Sequence, residues 1–169
     1  VLLGLAWYGG LRRGEARNVR GQDVSFKLHQ IVLPENKAKD DDHTTLITGE
    51  LDTFLRQCWP DGKLPEGKLI SDRDVTPDEH ELSKRFRRIA KKAALRGSGK
   101  DGYCVLHDLR RSFGSRWAGK VPAQVLQRMM RHANIKTTLD FYADVDMAAL
   151  ALLWPEQARQ AGVVANVTD

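Results

Sequence analysis

Three short segments rich in β-branched residues lie close together in the first third of the chain. They are DVSF (23–26), HQIVLP (29–34) and TTLIT (44–48). β-Branched side chains favour extended backbone, and short polar connections allow neighbouring strands to pair antiparallel. The polar stretch 35–43 is then the turn between the second and third strands. The pattern predicts one small three-stranded antiparallel sheet.

The remainder of the chain carries the periodicity of helices. The clearest helix is predicted over 76–95, where Thr76 is a suitable N-cap, Pro77 suits the first turn and Glu79 completes a capping box. Its expected apolar stripe is Leu82, Phe86, Ile89 and Ala93. Further helices are predicted over 1–9, 11–19, 49–58, 107–119, 122–132, 137–145 and 147–162. The predicted fold class is α+β, mostly α-helical, with the small sheet.

Composition limits the possible partners. The 169 residues suit one domain with a real core, and 41% of them are apolar. Lysine and arginine number 27 against 22 acidic residues, a net charge of +5. A basic excess of this size is compatible with a nucleic-acid partner. The basic residues are densest at 83–92 and 107–116, whereas acidic residues concentrate at 40–42 and 72–81.

The two cysteines and the first residues indicate the cellular compartment of the protein and its relation to a longer chain. Cys58 and Cys104 form neither a disulfide framework nor a zinc-binding spacing, so we expect reduced, buried side chains and a cytoplasmic protein. The apolar run at the start is too short to span a membrane. Because Val1 stands where a methionine would begin a protein, we interpret it as an internal cut in a longer chain.

Several residues with catalytic side chains occur in short polar stretches, and each has an ordinary explanation when taken alone. His107 and Arg110 share one helix face at i and i+3 spacing, which also describes a solvated surface. A histidine such as His132 is favoured at a helix C-terminus by the helix dipole. The other ordinary explanations are a surface pair for Arg12 and Arg13, a turn lysine for Lys37, and a core aromatic for Tyr142.

Taken together, these stretches resemble a known family in both order and spacing. They are GLRRGEARNVRGQDV (10–24), the turn with Lys37, HDLRRSF (107–113) and MMRHANIKTTLDFY (129–142). The resemblance is to the catalytic domain of tyrosine recombinases, also called phage-type integrases, and it covers roughly residues 1–150. It implies that residues 1–169 are the catalytic domain of a longer protein whose N-terminal core-binding domain is absent here.

The resemblance assigns a role to each matching residue. Two arginines would hold the non-bridging oxygens of a DNA phosphate, and one histidine would add a further hydrogen bond. Tyr142 would attack phosphorus and form a covalent 3′-phosphotyrosine, which stores the bond energy, so no ATP is implied. Because the arginines would supply the positive charge, the resemblance implies no metal or other cofactor. The implied catalytic set is Arg12, Lys37, His107, Arg110, His132 and Tyr142, with Glu15 as the supporting acid. His107 would act as base or proton carrier, and Lys37 would donate a proton to the leaving 5′-oxygen.

The chain departs from the family pattern at three places. Many members carry the tyrosine at the position of Phe141 here, but the ending TTLDFY resembles a variant with one more residue, which assigns Tyr142. Arg131 stands where the family usually has glycine and adds positive charge near the site. The acidic run 40–42 stands where relatives usually carry basic residues beside DNA.

Further basic residues are candidates for DNA contacts. A row at helix spacing on 83–92 would face phosphates and supply affinity that depends on salt but not on base sequence. The same row is also an ordinary solvated helix face. The predicted DNA-binding residues are Lys84, Arg85, Arg88, Lys92 and Arg111.

The expected function is site-specific recombination or integration of DNA. The expected partners are double-stranded attachment sites and three further copies in a homotetramer on DNA, in the cytoplasm at the nucleoid, with no membrane partner. The apolar segment within 147–169 would dock on a neighbouring subunit or cap its own domain. Two alternatives stay open: a DNA-binding module of the same fold that does not cut, and DNA relaxation of the type IB topoisomerase kind.

Overall fold

The structure is a computed structural model that describes residues 1–33, 44–70 and 78–142. Lys37, the acidic run 40–42 and the proposed docking segment 147–169 lie outside the described residues. Within them, the helices are α1 (Leu2–Gly9), α2 (Arg13–Asn18), α3 (Gly49–Cys58), α4 (Glu79–Lys92), α5 (Leu106–Ala118), α6 (Ala123–Met130) and α7 (Ile135–Leu139). These agree in place and type with the predicted helices.

The predicted three-stranded antiparallel sheet is confirmed. Its strands are β1 (Val24–Ser25), β2 (Gln30–Val32) and β3 (Thr44–Leu46), in the order β1-β2-β3. Ile31 pairs with both Val24 and Thr45, and the side chains of Ile31 and Thr45 are buried. The strands are shorter than the predicted segments. At the end of β3, Thr48 leaves the sheet because its side chain caps α3 by accepting a hydrogen bond from the Leu51 amide.

Helix α4 is shorter at both ends than predicted. Its N-cap is Asp78, whose carboxylate accepts a hydrogen bond from the Glu81 amide at 2.7 Å, rather than Thr76, which lies outside the described residues. The predicted apolar stripe was also partly wrong, since Ile89 is 51% exposed and Ala93 is exposed. The buried positions Leu82, Phe86 and Ala90 recur every four residues and define a face that does not include the other two.

The prediction of buried cysteines was wrong for Cys58, which is exposed, while Cys104 is half-buried. Cys58 is the last residue of α3, whose buried face is formed by Leu51 and Leu55. The next position on that face is Trp59, which packs against the same core cluster. The side chain of Cys58 therefore points away from the core.

The connection between α1 and α2 lies on α5, and this contact positions the candidate site. Gly10 ends α1 in the left-handed region, with φ of 61°. A Cβ atom at this position would lie only 2.6 Å from the ring of Phe113, which is buried on α5. Glycine is therefore required both by the backbone conformation and by the close approach.

Replacing Gly10 with alanine is expected to lower the free energy of unfolding by about 2–4 kcal/mol, because left-handed backbone strain and overpacking against Phe113 add together. Urea denaturation followed by circular dichroism measures this effect. The matched control is Gly49→Ala, since a Cβ at Gly49 meets no atom within 4 Å. Equal denaturation midpoints for the two variants would contradict the expectation.

Candidate active site

Four of the predicted catalytic residues line one open cleft of about 570 Å³. Arg12 lies at the start of α2, His107 and Arg110 lie on α5, and His132 follows α6. The cleft therefore joins three parts of the chain that are far apart in sequence. Arg111 lines the same cleft, as do Ser115, Thr137, Asp140 and Phe141.

Arg12 is oriented by the beginning of its own helix. Its backbone N–H donates to Glu15 Oε2 at 2.7 Å, and its Nη1 donates to Glu15 Oε1 at 2.8 Å. Its Nη2 donates to the backbone oxygen of Arg131 at 2.7 Å. The Arg12 side chain is 39% exposed, whereas that of Glu15 is 3% exposed. The backbone and the guanidinium of Arg12 are thus both held by hydrogen bonds, while the side chain stays partly exposed and lines the cleft.

Arg110 is held by backbone oxygens from two other elements. Its Nη1 donates to the carbonyl of Gly10 at 2.5 Å, and its Nη2 donates to the carbonyl of Met130. The residue is only 3% exposed, yet it lines the cleft. These two bonds tie α5 to the α1–α2 connection and to the end of α6.

Arg131 is a third arginine at the site, and its structural role was missed from the sequence. It ends α6 in the left-handed region with φ of 52°. Its Nη2 donates to Glu15 Oε2 at 2.7 Å and to the Gly10 carbonyl at 3.3 Å, and its Nη1 donates to the Met129 carbonyl at 2.9 Å. The signal in the sequence was a charged residue at a position where glycine was expected.

Within the part of the chain that the structure describes, Glu15 is the one buried carboxylate, and it lies between these guanidinium groups. Besides Arg12 and Arg131, Arg110 Nη1 lies 4.0 Å from Glu15 Oε2. Burial by itself raises the pKa of Glu15, but attraction to Arg131, the hydrogen bond from the Arg12 amide and attraction to Arg110 together lower it below its ordinary value. Glu15 is therefore an anion that holds the cationic cluster together.

Replacing Glu15 with glutamine is expected to lower the free energy of unfolding by about 3–5 kcal/mol at neutral pH, since buried cations lose their counter-charge. Because its pKa is lowered in the folded state, the stabilisation by Glu15 is complete above its ordinary pKa of 4.5 and is lost as the pH falls through the folded-state pKa. Denaturation midpoints should be measured over a range of pH. The loss of stability on acidification that comes from Glu15 should appear in the wild type but not in Glu15→Gln.

The control for this variant is Glu81→Gln, which breaks an exposed ion pair with Arg85 on α4. Exposed pairs of this kind contribute little to stability. A Glu15→Gln protein as stable as Glu81→Gln would contradict the assignment of Glu15 as the counter-charge of the cluster.

The two histidines of the cleft are neutral at pH 7. Burial, with the positive charges of Arg110, Arg12 and Arg131, lowers the pKa of His132 to about 4. Burial and Arg110 also lower the pKa of His107 below its ordinary value. His132 Nδ1 lies 2.9 Å from Thr138 Oγ1. A neutral imidazole can accept a proton as well as donate a hydrogen bond.

Tyr142 is not brought into this cleft. Its hydroxyl donates to the backbone oxygen of Val121 at 2.5 Å, and burial raises its pKa above the ordinary value. Phe141 lies in the cleft instead, with its ring stacked on His132 at a centroid separation of 6.1 Å. The predicted nucleophile is therefore one residue away from the cleft-lining position.

The predicted DNA-binding residues fall into two groups. Lys84 lines a second cleft of about 680 Å³, which shares Arg12, His107 and Arg110 with the first and also contains Arg13, His80 and Arg87. Arg111 lines the first cleft. The other three are exposed on α4 but line neither cleft: Arg85, which pairs with Glu81, and Arg88 and Lys92.

The described ranges contain no group of three or more His, Cys, Asp or Glu residues that could hold a metal ion. Over the same residues, no helix combines the length and apolar character needed to cross a membrane.

The chain is similar in sequence to a known recombinase. A tyrosine recombinase from Pseudothermotoga lettingae is 28% identical over 151 residues, which cover 86% of this chain and 49% of the relative. The chain thus spans about half the length of that relative.

Solved structures of low identity share the fold. The crystal structure of XerA recombinase superposes with a TM-score of 0.64 at 20% identity, covering 89% of this chain and 55% of that one. The Tn1549 transposon integrase in complex with circular intermediate DNA gives a TM-score of 0.66 at 19% identity. The match covers 89% of this chain and 58% of that one. XerH site-specific recombinase bound to a difH substrate gives a TM-score of 0.65 at 18% identity. This match covers 90% of this chain and 44% of that one. The phage integrase family model matches residues 1–149, so the chain belongs to the phage integrase family.

Proposed function

We propose that this chain cleaves and rejoins DNA strands at specific sites through a 3′-phosphotyrosine intermediate, without metal or ATP. The observation that carries the proposal is the cleft in which Arg12 and Arg110, each oriented by fixed acceptors, lie together with neutral His107 and His132. Such a set suits a phosphodiester, whose negative charge grows as phosphorus becomes five-coordinate. Pre-oriented donors stabilise that charge without reorganising during the reaction.

The proposed reaction exchanges one phosphoester for another. The oxygen of Tyr142 forms a bond to phosphorus while the bond from phosphorus to the 5′-oxygen breaks. The tyrosine proton passes to His107, and the departing 5′-oxygen receives a proton from Lys37. A 5′-hydroxyl from a partner strand then attacks the phosphotyrosine and releases the enzyme, so the number of phosphoester bonds is unchanged.

Tyr142 must move before it can react. Its hydroxyl bond to Val121 has to break, and the chain after α7 has to bring the ring toward the arginines. The raised pKa of Tyr142 fits an unreactive phenol in this position. We assign this arrangement to the protein before it engages DNA and a partner subunit.

The proposed DNA surface surrounds the two connected clefts. Lys84 and Arg111 would contact phosphates on either side of the reacting one, because each lines a cleft that also contains Arg12 and Arg110. Arg85, Arg88 and Lys92 would contact the duplex further along α4. In the complete assembly, residues 1–169 would be the catalytic domain of one subunit in a homotetramer on two attachment sites, with 147–169 docked on a neighbour.

A second candidate function is a DNA-binding module that does not cut. The position of the Tyr142 hydroxyl on Val121, away from the arginines, favours it. The two functions differ in whether a covalent bond to DNA forms.

Covalent capture tests the proposal with DNA of randomised sequence, so that no particular target site has to be chosen. The protein is incubated with a library of nicked duplexes whose sequence is randomised around the nick, so that cleavage releases a short strand and traps the enzyme. Adducts are isolated under denaturing conditions, their DNA is sequenced and their cross-linked peptide is identified by mass spectrometry.

We expect adducts joined to a 3′-phosphate, enriched for one sequence, and a cross-linked peptide containing Tyr142. DNA binding without any adduct would overturn the proposal in favour of the non-cutting module. Adducts of no sequence preference, accompanied by relaxation of supercoiled plasmid, would point to topoisomerase-like activity instead.

A further inference from the structure

We propose that Arg131 is a positioning residue, whose buried guanidinium fixes the acceptors that orient Arg12 and Arg110. The inference rests on the proposed function for the reaction that it serves. It concerns a residue that lines neither cleft and whose side chain is 1% exposed.

The first observation is that Arg131 shares its acceptors with both arginines of the cleft. Glu15 Oε2 accepts from Arg131 Nη2 and from the Arg12 amide, each at 2.7 Å. The Gly10 carbonyl accepts from Arg131 Nη2 at 3.3 Å and from Arg110 Nη1 at 2.5 Å. Movement of the Arg131 side chain would therefore displace the acceptors of both Arg12 and Arg110, the two side chains proposed to bind the phosphate.

The second observation concerns the backbone at the same residue. The carbonyl of Arg131 accepts from Arg12 Nη2 at 2.7 Å, and the carbonyl before it, of Met130, accepts from Arg110 Nη2. Arg131 Nη1 donates to the Met129 carbonyl at 2.9 Å, which fixes the side chain against the end of its own helix. The Arg131 side chain thus stabilises the end of α6, where the carbonyls of Met130 and Arg131 accept hydrogen bonds from Arg110 and Arg12.

The third observation is that arginine is an unfavourable choice at this position for folding alone. The φ of 52° is adopted by glycine at no steric cost, whereas other residues are strained there. The Arg131 side chain is 1% exposed, and its Nε is buried with no hydrogen-bond partner in the described part of the chain. Desolvation of a charge and backbone strain at one residue beside a reactive cleft indicate a functional constraint.

His132, the next residue, experiences the same charge. Arg131 is one of the cations that hold its pKa down, after burial, Arg110 and Arg12. This coupling gives a readout in the DNA-free protein that does not depend on cleavage.

The test compares Arg131→Gly, which relieves the backbone strain and removes the side chain, with Arg131→Lys, which keeps the charge but loses the forked donors. Arg116→Lys is the matched control. Among the described residues, Arg116 Nε is likewise buried with no hydrogen-bond partner. Arg116 also donates to a backbone carbonyl, that of Trp7, but it lines neither cleft. Cleavage is measured in single turnover at saturating DNA selected by covalent capture, and DNA affinity is measured over a range of salt concentrations.

For Arg131→Gly and Arg131→Lys we expect the cleavage rate to fall roughly 10- to 100-fold, because misplaced groups lose rate steeply with distance. We expect the salt dependence of DNA affinity to stay unchanged, since no phosphate contact is lost. The pKa of His132, followed by NMR without DNA, should rise in Arg131→Gly and stay low in Arg131→Lys. Arg116→Lys should cleave as the wild type does.

Wild-type cleavage rates in both Arg131 variants would overturn the inference, as would an equal loss of rate in Arg116→Lys. A weaker salt dependence would also overturn it, because it would make Arg131 a DNA contact. If Arg131→Gly does not fold, the single-turnover cleavage rate of Arg131→Lys alone tests the inference. If the wild type forms no adduct, the proposed function fails, and a rise in the pKa of His132 in Arg131→Gly would still support the electrostatic link between the two residues.

Discussion

Replacing Tyr142 with phenylalanine is expected to abolish the covalent DNA adduct while leaving DNA affinity within about twofold of the wild type. Phenylalanine keeps the ring that packs against a cluster of buried residues that includes Phe113 and Met130, and it removes only the oxygen proposed as the nucleophile. The loss of the hydroxyl bond to Val121 should alter stability by about 1 kcal/mol at most. Adduct formation on the captured DNA sequence, measured on a denaturing gel, gives the result.

Two further variants test whether the adduct requires the hydroxyl at residue 142 in particular. Tyr103→Phe removes a hydroxyl from a residue whose ring contacts Arg96, outside both clefts, and should cleave normally. The double variant Phe141→Tyr with Tyr142→Phe moves the hydroxyl to the cleft-lining position. Phe141 Cζ, the atom that would carry the new hydroxyl, would lie 2.8 Å from a Cβ atom built at Gly114, so the end of this ring packs closely on α5.

We therefore expect the double variant to remain inactive. Recovery of the adduct in the double variant would contradict the assignment of Tyr142 and would place the nucleophilic position at residue 141. An adduct that survives in Tyr142→Phe alone would move the nucleophile to another residue altogether.

Replacing Arg110 with alanine or lysine is expected to lower the single-turnover cleavage rate by about 10²- to 10³-fold, the effect of removing one pre-oriented donor from a transition state. Lysine keeps the positive charge, but one ammonium group cannot reproduce the fork that bonds the carbonyls of Gly10 and Met130 at the same time. The lysine variant should therefore lose nearly as much rate as the alanine variant. Rates are measured with the captured DNA at saturating concentration.

The controls for Arg110 separate orientation from general charge. Arg56→Ala removes an exposed arginine of α3 that pairs with Asp52, and it should leave the rate unchanged. Arg111→Ala should weaken DNA binding and reduce the slope of affinity against salt by about one phosphate contact. A lysine variant with the wild-type rate would show that only the charge of Arg110 matters and would contradict the role given to its two carbonyl bonds.

Much of the secondary structure could be predicted because it depends on neighbours in sequence. The limits of α3 follow from Thr48, a local cap, and from an apolar face that recurs within one helix. The β-branched segments predicted the three strands, and Gly10 marked the end of α1. The errors, at Ile89, Ala93 and Cys58, concern which side of a helix meets the core, and this depends on the elements packed against it.

The sequence by itself determined the family resemblance, the order of the catalytic candidates and the local preferences of each segment. Only the tertiary structure decided that Arg110 bonds a carbonyl 100 positions away and that Arg131 pairs with a carboxylate 116 positions away. Only it placed the Tyr142 hydroxyl on Val121 rather than in the cleft. The physical reason is that helix and strand patterns arise from interactions within a few residues, whereas a buried charge takes its partners from whatever packing brings within reach.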